Sequence, residues 1–146
     1  MAHFWLTFWT YLRWSLEFLY EPPFAYATLL LGSNFIASVI RQCPFRKPIW
    51  KQTYFIVVLQ FLFFPASLAV AVLGRVDWQQ PHFPGPNYWG LRVEDLFDLS
   101  SLILGGYWVW RIKGLRWFAV SLVILQLWLL EAAGFIAGMS LTGTWL

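Results

Sequence analysis

A single carboxylate inside an apolar run constrains this chain more than any other feature. Trp117 to Met139 reads WFAVSLVILQLWLLEAAGFIAGM, and Glu131 lies within it. At a rise of ~1.5 Å per residue such a helix is long enough to cross the ~30 Å hydrocarbon core of a bilayer. An acid near the centre of a membrane helix costs on the order of 2.5–3.5 kcal/mol, so it is expected to face protein, water or a proton. On this reading Glu131 marks the side of the helix that looks inward. Gly134 and Gly138 follow at i+3 and i+7 on the same side. They form a GxxxG, expected as a packing ridge that lets another backbone come close.

The composition agrees with a membrane-embedded chain. Of 146 residues 60% are hydrophobic and 12% charged, against roughly a quarter charged in soluble domains. The sequence predicts an all-α integral membrane protein with one domain, 1–146, held by the lipid bilayer. Its net charge of +3 sits in short clusters beside apolar runs, the pattern of the positive-inside rule. No basic face remains for nucleic acid once those clusters are assigned. Aromatic belts at the two interfaces account for much of the 11 Trp, 14 Phe and 6 Tyr. Cys43 is the sole cysteine, which excludes an intrachain disulfide and a dithiol relay. The N-terminus lacks a signal-peptide pattern, so Met1 onward is expected to stay in the mature protein.

Residues 3–20 carry His3, Thr7, Thr10, Arg13 and Glu17 on a narrow polar stripe opposite a broad aromatic face. That periodicity predicts an amphipathic helix lying in the interface, with a fifth span as the alternative, and pairs Arg13 with Glu17 at i, i+4. Pro22-Pro23 ends it. Four transmembrane spans are expected after it, over 24–40, 53–74, 91–110 and 117–139. The first carries Asn34, Ser38 and Arg41 as a polar ridge. The second carries Gln60 and Ser67 on one face and Pro65 in its middle, expected to kink it. The third places Glu94, Asp98, Ser101 and Gly105 on one face. Glu94 and Asp95 are expected at the outer interface, and Gly105 with Gly106 where another helix approaches.

The loops orient the bundle. Residues 41–52 hold four Lys/Arg and no acid, and 111–116 hold three. Both are expected in the cytoplasm, leaving the N- and C-termini on the outer side. The long 75–90 connection is proline-rich and aromatic; Trp78, His82, Tyr88 and Trp89 are candidates for an interface cap or a lid over an outward pocket.

Counted from the outer face, Asp98 and Glu131 both fall roughly 8–12 Å deep, so the two acids are expected to meet. Two carboxyls sharing a low-dielectric site cannot both stay ionised. Such a pair binds a cation, passes a proton or acts as a general acid, with Ser101, Asn34, Gln60 and Ser67 as its polar neighbours. The plainer alternative is a protonated Glu131 that hydrogen-bonds Asn34, Gln60 or Ser101 and locks the bundle.

Other chemistry is poorly represented. Both histidines, His3 and His82, lie outside the spans, so haem ligation across the bundle is not expected. No metal site, cofactor, phosphate-binding glycine loop or G-x-S-x-G is expected. Three functions remain. The first is a non-catalytic subunit or interaction module, assembling with itself or with other membrane subunits. The second is a small transporter or binder of a lipophilic or cationic solute using Asp98 and Glu131. The third, an enzyme with carboxyl acid/base catalysis on a lipophilic substrate, is the least favoured.

Overall fold

A computed structural model describes residues 2–22, 24–44, 48–76 and 85–144. Among them the chain is all-helical, with five helices and no strand: α1 (Ala2–Phe18), α2 (Phe24–Gln42), α3 (Pro48–Leu73), α4 (Tyr88–Arg111) and α5 (Arg116–Thr142). Three segments are long and apolar enough to cross a membrane, namely Phe24–Gln42, Tyr54–Leu73 and Arg116–Thr142. Helix α4 is comparably long at 24 residues, but Arg92, Glu94, Asp95 and Asp98 lower its apolarity. Helix α3 begins at Pro48, five residues before the expected span, because proline is well placed at a helix start. It runs on through Pro65.

Helix α5 is the central element and touches each of the other four. Its inward stripe, Leu122, Gln126, Leu130, Ala133, Ala137 and Ser140, repeats every three or four residues. Small side chains in that stripe admit α3 and α1, with Ala133 and Ala137 packed against Leu68, Ala71 and Tyr11. A second apolar cluster closes the opposite end, where Trp108, Ile112, Leu115 and Phe118 are fully buried.

Polar bonds fasten both ends. At one, Asn87 caps α4 by accepting from Gly90 N at 3.1 Å and donates through Nδ2 to Gly74 O at 3.0 Å. The Asn87 N–H also donates to Leu141 O at 2.7 Å. These bonds bring the end of α3, the start of α4 and the end of α5 to one point. A Cβ on Gly74 or Gly90 would come within 2.5 Å of Leu141 Cδ2, so glycine there is what permits the approach. At the other end Gln42 Oε1 accepts from Phe118 N at 3.0 Å and satisfies a free donor in the first turn of α5.

Helices α1 and α2 run one after the other down a single flank of α5. Tyr11 meets Ser140, Phe18 stacks on Phe135, Phe24 lies against Trp128 and Phe35 against Phe118. Both sets of numbers change monotonically, one rising and the other falling. Helix α1 therefore runs alongside α5 instead of across its end. The reason is that Tyr11, Ser15 and Leu19, spaced by four, form a buried edge that the aromatic stripe conceals in the sequence.

Candidate functional site

The break between α1 and α2 falls opposite Glu131. Helix α1 closes with tight turns, in which Leu19, Tyr20 and Glu21 donate to the carbonyls of Leu16, Glu17 and Phe18 at 3.1, 2.9 and 3.2 Å. Thr28 then ties three elements together. Its hydroxyl lies 3.2 Å from Leu19 O and 2.9 Å from Phe24 O, and its Oγ1 accepts from Trp128 Nε1 at 3.0 Å. A cavity of about 630 Å³ opens at this point, lined by Phe18, Leu19, Phe24, Trp128, Glu131 and Phe135 among others.

Glu131 is not on the inward side of α5, contrary to the sequence expectation. It lies on an exposed strip with Trp117, Ile124 and Phe135, spaced by seven and four residues. The inward position next to it is Leu130, fully buried; one residue turns a helix by ~100°, enough to send Glu131 to the flank. It lies roughly 16 Å from the Thr142 end of α5. Among the described residues the ion pair is Arg13 with Glu17, at 2.6 Å on the exposed face of α1, and no base pairs with Glu131.

Asp98 and Glu131 are near enough to feel each other's charge. They do not share a cavity: Asp98, half-buried on α4, is not among the residues that line the cleft. Glu94 is buried, 9% exposed, whereas Asp95 is exposed. The buried Ser67 hydroxyl lies close enough to act on the Glu94 carboxyl, yet Ser67 Oγ and Glu94 Oε1 each lack a completed hydrogen bond among the described residues.

The remaining polar candidates divide in two. Gln60 and Ser101 meet inside the bundle, where Gln60 Nε2 lies 3.4 Å from Ser101 O. The residue that joins them is Gln126, whose Nε2 donates to Ser101 Oγ at 2.7 Å and to Gln60 O at 3.2 Å. Sequence reasoning passed over Gln126, although an amide in the middle of a strongly apolar helix is itself a signal of an interhelical bond. Asn34 is elsewhere. It is exposed on α2 and donates to Leu30 O of its own helix at 2.9 Å, so Glu131 bonds neither Asn34, Gln60 nor Ser101.

The glycines also sort differently from expectation. A Cβ on Gly134 or Gly138 meets nothing within 4 Å, so this GxxxG is no packing ridge within the chain. Gly105 is a close approach, where a Cβ would lie 2.6 Å from Val123 Cγ1 and 3.0 Å from Gln60 Nε2, while Gly106 faces open space. Tyr88 and Trp89 are exposed in the first turn of α4; Trp78 and His82 lie outside the described residues. No group of three His, Cys, Asp or Glu side chains is placed to hold a metal among the described residues.

The site thus consists of an apolar cleft at a helix break with one carboxylate, Glu131, in its wall. No family model, curated protein or solved structure matches the chain.

Proposed function

We propose that the protein is a multi-pass integral membrane protein that binds a solute from within the bilayer, as a small transporter or binder, in the cleft beside Glu131. In this reading α3, α4 and α5 cross the membrane, and α1 and α2 together make a fourth, interrupted crossing, with α1 in the outer half and α2 running from the level of Glu131 to the cytoplasmic side. The 41–52 and 111–116 connections face the cytoplasm and both termini the outside. One observation carries the proposal: the chain breaks between α1 and α2 at the level of Glu131, midway along α5. Irregular backbone is tolerated at membrane depth where it lines a cavity or is buried in protein, and interrupted helices with a charge at mid-depth are how many carriers form their sites. Solute binding to purified protein in nanodiscs tests it: Glu131→Gln is expected to weaken binding while leaving helix content and dispersity unchanged. Unaltered binding by that variant removes Glu131 from the site.

A second reading, a non-catalytic interaction module, is favoured by Asn34. Helix α2 packs chiefly on α5 and presents Ser33, Asn34 and Ala37 outward. Exposed amides in a membrane helix find partners on other helices. Cysteine crosslinking from position 37 in a Cys43→Ala background, followed by identification of the captured chain, distinguishes this use of α2 from lipid contact.

A further inference from the structure

The cleft also carries information about the class of solute, given the reading of it as a binding site. Its walls are rings: Phe18 lies 4.2 Å from Phe24 and 4.7 Å from Phe135, and Phe24 lies 5.9 Å from Trp128, centroid to centroid. The one N–H donor among these side chains, Trp128 Nε1, is occupied by Thr28. The charged side chain that the cleft offers a ligand is therefore negative. Glu131 supplies a carboxylate and the rings supply the negative faces of their π systems, while the carbonyl end of α1 and the amide end of α2 meet at the break and offset each other.

Neighbouring charges have the same sign. The charge of Glu131 reaches Asp98 on α4, and Glu21 stands exposed in the turn that follows α1. The nearest base on α1, Arg13, is held by Glu17 at 2.6 Å and lines a different groove with Trp9 and Tyr20. An anion would meet the Glu131 carboxylate with no cationic side chain in the lining. A sugar-like neutral solute would leave its hydroxyls unpaired against the rings. A bare metal cation would lack the six or so oxygen ligands it requires and would leave most of a cavity of about 630 Å³ unfilled.

We infer that the cleft takes an amphiphilic organic monocation, such as a quaternary or protonated tertiary amine, with its charge against Glu131 and its apolar body among Phe18, Phe24, Trp128 and Phe135.

The test uses the full chain in nanodiscs of zwitterionic phosphatidylcholine, so that anionic lipid does not collect the probe. Tetraphenylphosphonium and dodecyltrimethylammonium are titrated by equilibrium dialysis against tetraphenylborate, triphenylmethane and sodium chloride. Saturable binding of an organic cation is expected at one site per chain. Glu131→Gln should weaken it at least about tenfold, from loss of a charge contact in a low-dielectric cleft. Phe135→Ala, which removes a wall and keeps the carboxylate, should weaken both cations and cause the larger loss for the tetraphenyl one. Triphenylmethane or sodium competing as well as the organic cations overturns the solute class while leaving a binding cleft in place. Absence of binding by every probe, or equal cation binding by Glu131→Gln, overturns the cleft reading as well.

Discussion

Tyr11 and Ser140, at opposite ends of the chain, share a hydrogen bond of 2.9 Å in the buried seam between α1 and α5. Ser140 Oγ gives its own proton to Ala71 O at 2.8 Å, so Tyr11 is the donor. One serine thus links α1, α3 and α5. Removing it leaves the Tyr11 hydroxyl without its Ser140 acceptor in a dry seam, whereas removing the tyrosine hydroxyl leaves Ser140 still bonded to Ala71. Ser140→Ala is expected to destabilise by about 1–3 kcal/mol and Tyr11→Phe by about 1 kcal/mol or less. Thermal unfolding in detergent gives the order of the two variants; the reverse order would mean that α1 is not held through this serine.

The two adjacent glycines of α4 should respond in opposite directions. Gly106 faces open space, and a Cβ at Gly105 would press on Val123 and Gln60. Alanine at position 106 gains helix propensity of up to ~1 kcal/mol. At position 105 overpacking opposes that gain and leaves a net loss of about 1–2 kcal/mol. Val123→Ala combined with Gly105→Ala should recover most of the loss. The same unfolding assay reads all three variants.

Much of the helical layout was legible from apolar run length and proline position, because those two quantities dictate where a chain can stay helical. The inward face of α4 was legible too, since Glu94, Ser101 and Gly105 share a stripe that the fold buries. The facing of α5 was not. Its apolar residues lie all round the helix, so periodicity carries almost no directional signal and Glu131 had to serve as the marker. The marker misleads here, because a carboxylate beside a helix break is accommodated on the flank. The run of α1 along α5 was likewise hidden, because it depends on contacts between residues more than a hundred positions apart, such as Phe18 with Phe135.

Gln126 is the polar centre of the bundle, bonded to Ser101 Oγ at 2.7 Å and to Gln60 O at 3.2 Å. Interhelical bonds within membranes average ~0.6 kcal/mol and reach ~1.7 kcal/mol. Gln126→Leu is therefore expected to destabilise by about 1–2 kcal/mol. It should also loosen α4 against α5 without altering the cleft, which lies on another face of α5. Equilibrium unfolding gives the first quantity. Unchanged organic-cation binding by the same variant checks that core and cleft are separate.

A Cβ on Gly134 or Gly138 meets nothing within 4 Å, so bulk there should leave the chain itself intact. Leucine at both positions is expected to stabilise the monomer through helix propensity, by up to ~1 kcal/mol at each. If these glycines serve a contact between chains, the double variant should lower the oligomer fraction in analytical ultracentrifugation at matched detergent. An unchanged distribution assigns the pair to lipid contact.

Thr28 provides the sharpest test of the helix break, because its one hydroxyl serves Leu19 O at the end of α1, Phe24 O at the start of α2 and the Trp128 indole on α5. Valine keeps its shape and removes all three contacts. Trp128 Nε1 then loses its acceptor beside the cleft, and the single hydroxyl proton shared by Phe24 O and Leu19 O is lost at the point where the chain leaves helix. A loss of about 1–2 kcal/mol is expected, concentrated at the break: hydrogen exchange should rise for the amides of 19–28 and remain unchanged around Phe118, where Gln42 holds the other end of α2. Thr28→Ser keeps the hydroxyl and should behave as the parent protein. Because the Trp128 ring is one wall of the cleft, Thr28→Val should also weaken organic-cation binding severalfold with Glu131 untouched. Equal exchange in the valine and serine variants would show that the break is held by the aromatic stack of Phe18, Phe24 and Phe135 and not by this hydroxyl.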